Sequence, residues 1–115
     1  MNPFLMNIKK LTQKYFTYFQ KKKLDKLEEL FDQNIQLIDP GNKIKGKRGV
    51  LKFNKEFFRK FKTIKIKLIY QAINEKKRIS ISYIKVKLNK KSFDVIDLLE
   101  MSKNKKLKKI LAFKQ

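Results

Sequence analysis

The chain reads as one α+β domain, with helices packed on one face of a curved sheet of antiparallel strands joined by short hairpins. Two observations predict this. Residues 4 to 61 carry apolar side chains mainly at helical spacing, and residues 64 to 114 change to a period of two, with no linker, internal repeat or low-complexity tail. At 115 residues, 42% apolar and 36% charged, the chain is expected to form a single domain over residues 1–115 that buries roughly two-thirds of its unfolded surface.

The first helix is predicted from Phe4, with Ile8, Leu11, Tyr15 and either Tyr18 or Phe19 completing one face and Pro3 in its first turn. A second, short helix rests on Leu24, Leu27, Leu30 and Phe31, with Asp25, Lys26, Glu28 and Glu29 on its wet side, and ends near Asp32-Gln33-Asn34. Ile35 to Asp39 is a short strand stopped by Pro40-Gly41-Asn42, because proline cannot donate to a ladder. A third helix is predicted after Gly46 on the stripe Val50, Phe53, Phe57 and Phe61, with Leu51 and Phe58 beside it.

In the second half, Ile64, Ile66, Leu68 and Tyr70 alternate with polar residues until the turn at Asn74-Glu75-Lys76-Lys77. In the next strand Ile79, Ile81 and Tyr83 hold odd positions but Ile84, Val86 and Leu88 hold even ones, a phase change that predicts a β-bulge near Tyr83. Strands from Ser92 to Met101 and from Leu107 to about Lys114 complete the order.

The formal charge of +21, from 31 basic and 10 acidic residues, raises nucleic acid or anionic lipid as partners. Only Arg48, Arg59 and Arg78 are arginines, and arginine is the residue that bidentate phosphate and base contacts favour. The lysines, spread from Lys9 to Lys114, read as a solvated coat with weak, salt-sensitive adhesion to nucleic acid; a functional polyanion-binding surface is the alternative. Apolar runs are far short of the roughly 20 residues a bilayer-crossing helix needs. The start has no basic leader and Asn7 breaks its apolar stretch, so the expected location is the cytoplasm. The chain has no cysteine and no histidine, which excludes disulfides, thiolate or imidazole metal sites, thiol nucleophiles and Ser-His triads. Acid-base chemistry is left to carboxylates, tyrosine or lysine.

Six of the ten carboxylates fall on helix surfaces or in a turn, leaving Asp39, Asp94, Asp97 and Glu100. In the strand from Ser92 to Met101, Asp97 is the lone ionisable group in the row Phe93, Val95, Asp97, Leu99, Met101. If that row faces the helices, desolvation raises the pKa of Asp97 and favours a protonated donor; if the faces are reversed, or a lysine pairs with it, Asp97 is an ordinary carboxylate. Tyr15 stands in an apolar helical stripe, so its ring is expected inside with its hydroxyl seeking a partner. Asp39 closes an apolar strand before a Pro-Gly turn, a position where aspartate is also a common turn former.

The run Leu24-Asp25-Lys26-Leu27-Glu28-Glu29-Leu30-Phe31, then Ile35 to Ile38, Asp39-Pro40-Gly41 and Gly46-Lys47-Arg48-Gly49-Val50, resembles the SnoaL-like and ketosteroid-isomerase-like branch of the nuclear transport factor 2 superfamily. The resemblance covers nearly the whole chain and implies a nuclear transport factor 2-like (cystatin-like) cone: three N-terminal helices on a strongly curved, mainly antiparallel sheet around an apolar pocket. Tyr15 matches the oxyanion tyrosine of ketosteroid isomerase, Asp39 its general-base aspartate, and Asp97 its second oxyanion donor, an aspartic acid kept neutral by an apolar site. Where some members extend this hydrogen-bond network with tyrosines, the chain has Phe31 and Asn54.

The implied function is a proton-shuttling isomerase, or a related lyase, on a small apolar carbonyl compound, with Asp39, Tyr15 and Asp97 as catalytic residues. Phe19, Phe31, Phe53, Phe57, Phe93, Val95, Leu99 and Met101 are the expected pocket walls, and neither metal nor cofactor is expected. The alternative is a non-catalytic module of the same fold that binds an apolar ligand or dimerises. The outward sheet face, expected to carry Ile69, Ile96, Leu98, Ile110 and Ala112 among lysines, predicts a homodimer.

Overall fold

The computed structural model describes residues 6–115. Its elements run α1 (Ile8–Gln20), α2 (Leu24–Leu30), β1 (Phe31–Asp39), β2 (Asn42–Lys45), α3 (Lys47–Lys60), β3 (Ile64–Asn74), β4 (Ile79–Leu88), β5 (Lys91–Met101) and β6 (Leu107–Lys114). The strands form one sheet in the order β2-β1-β6-β5-β4-β3, antiparallel throughout except for the parallel β1–β6 pair. Three helices cover its inner face, giving the α+β architecture the sequence predicts.

The core lies where α1 and α2 close on the sheet: Ile8, Leu11, Leu27, Leu30, Phe31, Ile35, Leu99, Met101 and Leu107 are all buried. α1 starts at Ile8, with the Asn7 side chain accepting the Lys10 N–H at 2.9 Å as its cap. The expected start at Phe4, and Pro3 before it, lie outside the described residues. α2 ends at Leu30 rather than near Asp32 to Asn34, and Phe31 turns extended to open β1 four residues earlier than expected. Its ring is buried and it pairs with Leu107, so tertiary contact decides a boundary that helical spacing alone would extend. β2 was not expected, because four largely exposed residues have no apolar alternation to announce them. α3 begins after Gly46, whose φ of +91° strongly favours glycine.

The phase change in β4 has a different cause from the one expected. β4 pairs without a break along β5, from Ile79 with Glu100 to Leu88 with Lys91. Ser80, Ser82 and Ile84 are buried on the inner row and Val86 and Leu88 line the cavity beyond them, while Ile81 is exposed on the other face. The irregularity sits on β3, between Leu68 and Tyr70, opposite Ile84 and Tyr83. Two buried serines thus occupy the inner row where apolar residues were looked for. Ser80 Oγ bonds Thr12 Oγ1 at 2.7 Å, and Thr12 bonds the Ile8 carbonyl at 2.8 Å, which pins α1 to the sheet.

Ile96 is exposed on the outer face as expected and Leu98 is half-buried there, while Ile69 is exposed at the irregularity of β3, where it has no partner in register. Ile110 and Ala112 are not on that face. In register with Leu99 and Asp97, they belong to the inner row, and Ile110 is buried. The run Ile110-Leu111-Ala112-Phe113 has no polar alternation, so its parity could not be read from sequence. The outward residues of β6 are Leu111 and Phe113, facing Leu98 and Ile96. Among the described residues no helix is long and apolar enough to cross a membrane.

Candidate active site

Above the packed core the sheet and α3 diverge to leave a cavity of about 530 Å³, within the range of small-molecule sites. The inner row of β5 records the change from core to cavity: Met101 and Leu99 are buried, Asp97 comes next, and Val95 and Phe93 are half-buried walls. Asp97 is opposed by Ser82 on β4 and Ala112 on β6, small neighbours that leave its carboxyl room. Phe16 and Phe19 of α1, Phe53 and Phe57 of α3 with Phe61 just beyond it, and Phe93 of β5 give the cavity a largely aromatic lining. The ring of Phe19 packs on Phe57 and Phe58 with centroids 5.5 and 5.0 Å apart, holding α1 to α3.

Of the walls predicted from sequence, Phe19, Phe53, Phe57, Phe93 and Val95 line the cavity. Phe31, Leu99 and Met101 do not; they are buried in the core, where α1 and α2 close on the sheet and leave no space. Leu37, Ile66, Ile84, Val86 and Leu88 also line it, contributed by strands whose inward parity the sequence shows only once the sheet order is known.

Tyr15, Asp39 and Asp97 all border this cavity. Tyr15 is 5% exposed and Asp97 7%, and among the described residues neither has a hydrogen-bond or ion-pair partner in the protein. The lysine pairing considered for Asp97 is absent: the ion pairs of the described residues are Lys26–Glu29, Lys85–Asp94 and Lys108–Glu100, all at the surface. Burial lifts the Asp97 carboxyl from 3.8 to about 7, so a large share of molecules carry it protonated at neutral pH. Burial, and secondarily the charge of Asp97, hold the Tyr15 phenol well above its usual 10, so it is a donor at all physiological pH values. Two buried donors thus face one apolar space, the arrangement that stabilises a developing oxyanion.

Asp39 differs from these two. It closes the inward row Ile35, Leu37, Asp39 of β1 at the cavity mouth, and its Oδ1 accepts the Gly41 N–H and the Asn42 amide, each at 2.9 Å. The turn fixes the carboxylate's direction. Exposed Lys60 and Lys114 share the mouth, with their ammonium groups 5.5 and 4.3 Å from the Phe61 and Phe93 ring centres. Asn54, noted from sequence only as standing where some relatives carry a network tyrosine, is buried in α3 and lines the cavity. Its signal was available: it sits on the stripe between Val50 and Phe58, where an amide has no apolar reason to be.

An α+β cone thus encloses an apolar cavity bordered by a buried acid and a buried phenol. The SnoaL-like domain model matches residues 12–110, and the chain belongs to that family. No curated protein matches the chain. Among solved structures, a nuclear transport factor 2-like protein of unknown function from Cytophaga hutchinsonii superposes with a TM-score of 0.82 at 10% identity, covering 98% of this chain and 94% of that one. A candidate ketosteroid isomerase from Kribbella flavida gives a TM-score of 0.83 at 14% identity, covering 94% and 77%. The epoxide hydrolase/cyclase-like enzyme SalBIII, of pyran ring formation in salinomycin, gives 0.82 at 11% identity, covering 94% and 90%. At these identities the likeness establishes the fold.

Proposed function

We propose that the protein is an isomerase of ketosteroid-isomerase type acting on a small, largely apolar carbonyl compound. The observation that carries this reading is the pair Tyr15 and Asp97, buried, without a partner among the described residues and facing one apolar cavity whose mouth holds a carboxylate. In this reading Asp39 removes a proton from the carbon next to the carbonyl, and the developing enolate oxygen accepts hydrogen bonds from the Tyr15 hydroxyl and protonated Asp97. Asp39 then returns the proton to the far carbon of the conjugated system, so no net charge is gained or lost. The neighbours named as a candidate ketosteroid isomerase and as an epoxide hydrolase/cyclase-like enzyme support proton-transfer chemistry in this fold. Assembly as a homodimer through the outer sheet face belongs to the same proposal, supported by the directly opposed apolar pairs Ile81–Leu98, Leu98–Leu111 and Ile96–Phe113.

A non-catalytic binding pocket is favoured by one observation, the engagement of Asp39 Oδ1 by its own turn. The two readings part on turnover of a β,γ-unsaturated ketone such as 3-cyclohexenone to its conjugated isomer, followed by ultraviolet absorbance. The isomerase reading expects conversion by the wild type and its loss in Asp39→Asn. Ligand binding without conversion by the wild type assigns the pocket to binding alone.

A further inference from the structure

The outer face of the sheet holds a cluster of charge that the pocket does not use. At its β3–β4 corner Lys65 stands opposite Lys87 and Lys67 opposite Lys85, in consecutive outward rows with all four side chains exposed. Like charges directly opposed across strands destabilise a sheet. Of the four, Lys85 alone has an acidic partner among the described residues, Asp94 at 3.6 Å. The next outward row, past the irregularity of β3, pairs Tyr70 with Tyr83, and Tyr70 is 70% exposed. The lysines thus form a short ladder that ends at a solvent-facing aromatic ring.

We propose that this corner binds single-stranded nucleic acid without regard to sequence. Lysines two residues apart on a strand lie about 6.8 Å apart, a spacing that successive phosphates of an extended single strand can follow. Bound phosphates relieve the repulsion between the opposed lysines, and Tyr70 beside them offers a stacking surface that any base can use. Lysine holds phosphate as a point charge, so the scarcity of arginine that speaks against base reading suits a sequence-tolerant contact. A duplex keeps its base faces stacked inside, and so meets the lysines but not the ring. The site is independent of the pocket, and it leaves the apolar pairs Ile81–Leu98 and Ile96–Phe113, toward β5 and β6, to a second copy.

The test is fluorescence anisotropy with a labelled oligothymidylate of about 12 nucleotides and with its duplex, beside co-sedimentation with vesicles containing phosphatidylserine. Wild type is compared with Tyr70→Ala, with the double variant Lys65→Gln/Lys67→Gln, and with a control, Lys52→Gln/Lys55→Gln, which removes the same charge from exposed positions of α3 on the other side of the sheet. Tyr70→Ala should weaken single-strand binding about tenfold and leave duplex binding unchanged. The Lys65→Gln/Lys67→Gln variant should lower the slope of log affinity against log salt by about 1.4, and the control should leave it unchanged. Single-strand affinity indifferent to Tyr70→Ala, or a control that lowers the slope as much as the corner pair, overturns the proposal and leaves an undifferentiated lysine coat. Vesicle binding that is lost in the corner variants while single-strand binding persists overturns it too, and assigns the corner to a membrane surface.

Discussion

Asp97 couples the site to the stability of the fold. Its folded carboxyl titrates near 7, whereas in the unfolded chain it titrates near 3.8, so between those values the folded state holds a proton that the unfolded state releases. Stability is therefore greatest below pH 4 as far as this group is concerned, declines as pH rises toward 7, and is flat above it. Asp97→Asn, a neutral near-isostere, should remove this dependence and gain about 4 kcal/mol over the wild type at pH 8, with the difference vanishing near pH 4. Thermal melts of both proteins from pH 4 to 8 check this; parallel curves would mean that Asp97 ionises freely in the folded protein. Its isolation in an apolar strand row was visible in the sequence, and so was the burial of Tyr15 in a helical stripe. That the two share one cavity came from the family resemblance and not from periodicity, because α1 and β5 meet only through the sheet topology.

Among the elements, α3 supplies Phe53 and Phe57 of the aromatic wall and is tied to α1. Lys22, just past α1 at φ +57°, donates to the Phe58 and Lys62 carbonyls at 2.9 Å each, setting a cation against the C-terminal end of α3. Lys22→Met keeps the stem and loses both bonds, and should cost about 1 to 2 kcal/mol in denaturant unfolding; an unchanged midpoint would show that the Phe aromatic packing alone seats α3. The helices and long strands were legible because their apolar periods are long and regular. The hairpin strand β2 and the face assignments of β4 and β6 were not. Buried serines at 80 and 82 and the unbroken apolar run 110–113 remove the polar contrast from which strand parity is read.

For the whole molecule, the outer face sets an apolar surface within a chain of formal charge +21. Tyr70, Ile81, Ile96 and Phe113 are exposed there at 70%, 43%, 43% and 53%, more than scattered surface residues account for. On the same sheet Lys65 opposes Lys87 and Lys67 opposes Lys85, like charges that repel across strands and between copies. A homodimer joined by this face should therefore tighten as salt rises, whereas lysine adhesion to a polyanion weakens. Sedimentation velocity at micromolar concentration in 0.05 and 0.5 M salt (about 14 and 4 Å of screening length) should show a dimer favoured at high salt and broken by Phe113→Glu. A monomer under both conditions removes the dimer from the account.

If Tyr15 and Asp97 form a working oxyanion site, an enolate mimic binds through both of them. The measurement that meets this most directly is fluorescence titration with 2-naphthol, an enolate mimic, in about 0.5 M salt so that the lysine coat is screened. Wild type, Tyr15→Phe and Asp97→Asn are compared at pH 6 and pH 8. Tight binding is expected at pH 6 that weakens at pH 8 as Asp97 loses its proton, falls about tenfold or more in Tyr15→Phe, and loses its pH dependence in Asp97→Asn. Affinity that ignores both substitutions and the pH would contradict it, leaving a buried acid and phenol with no part in binding.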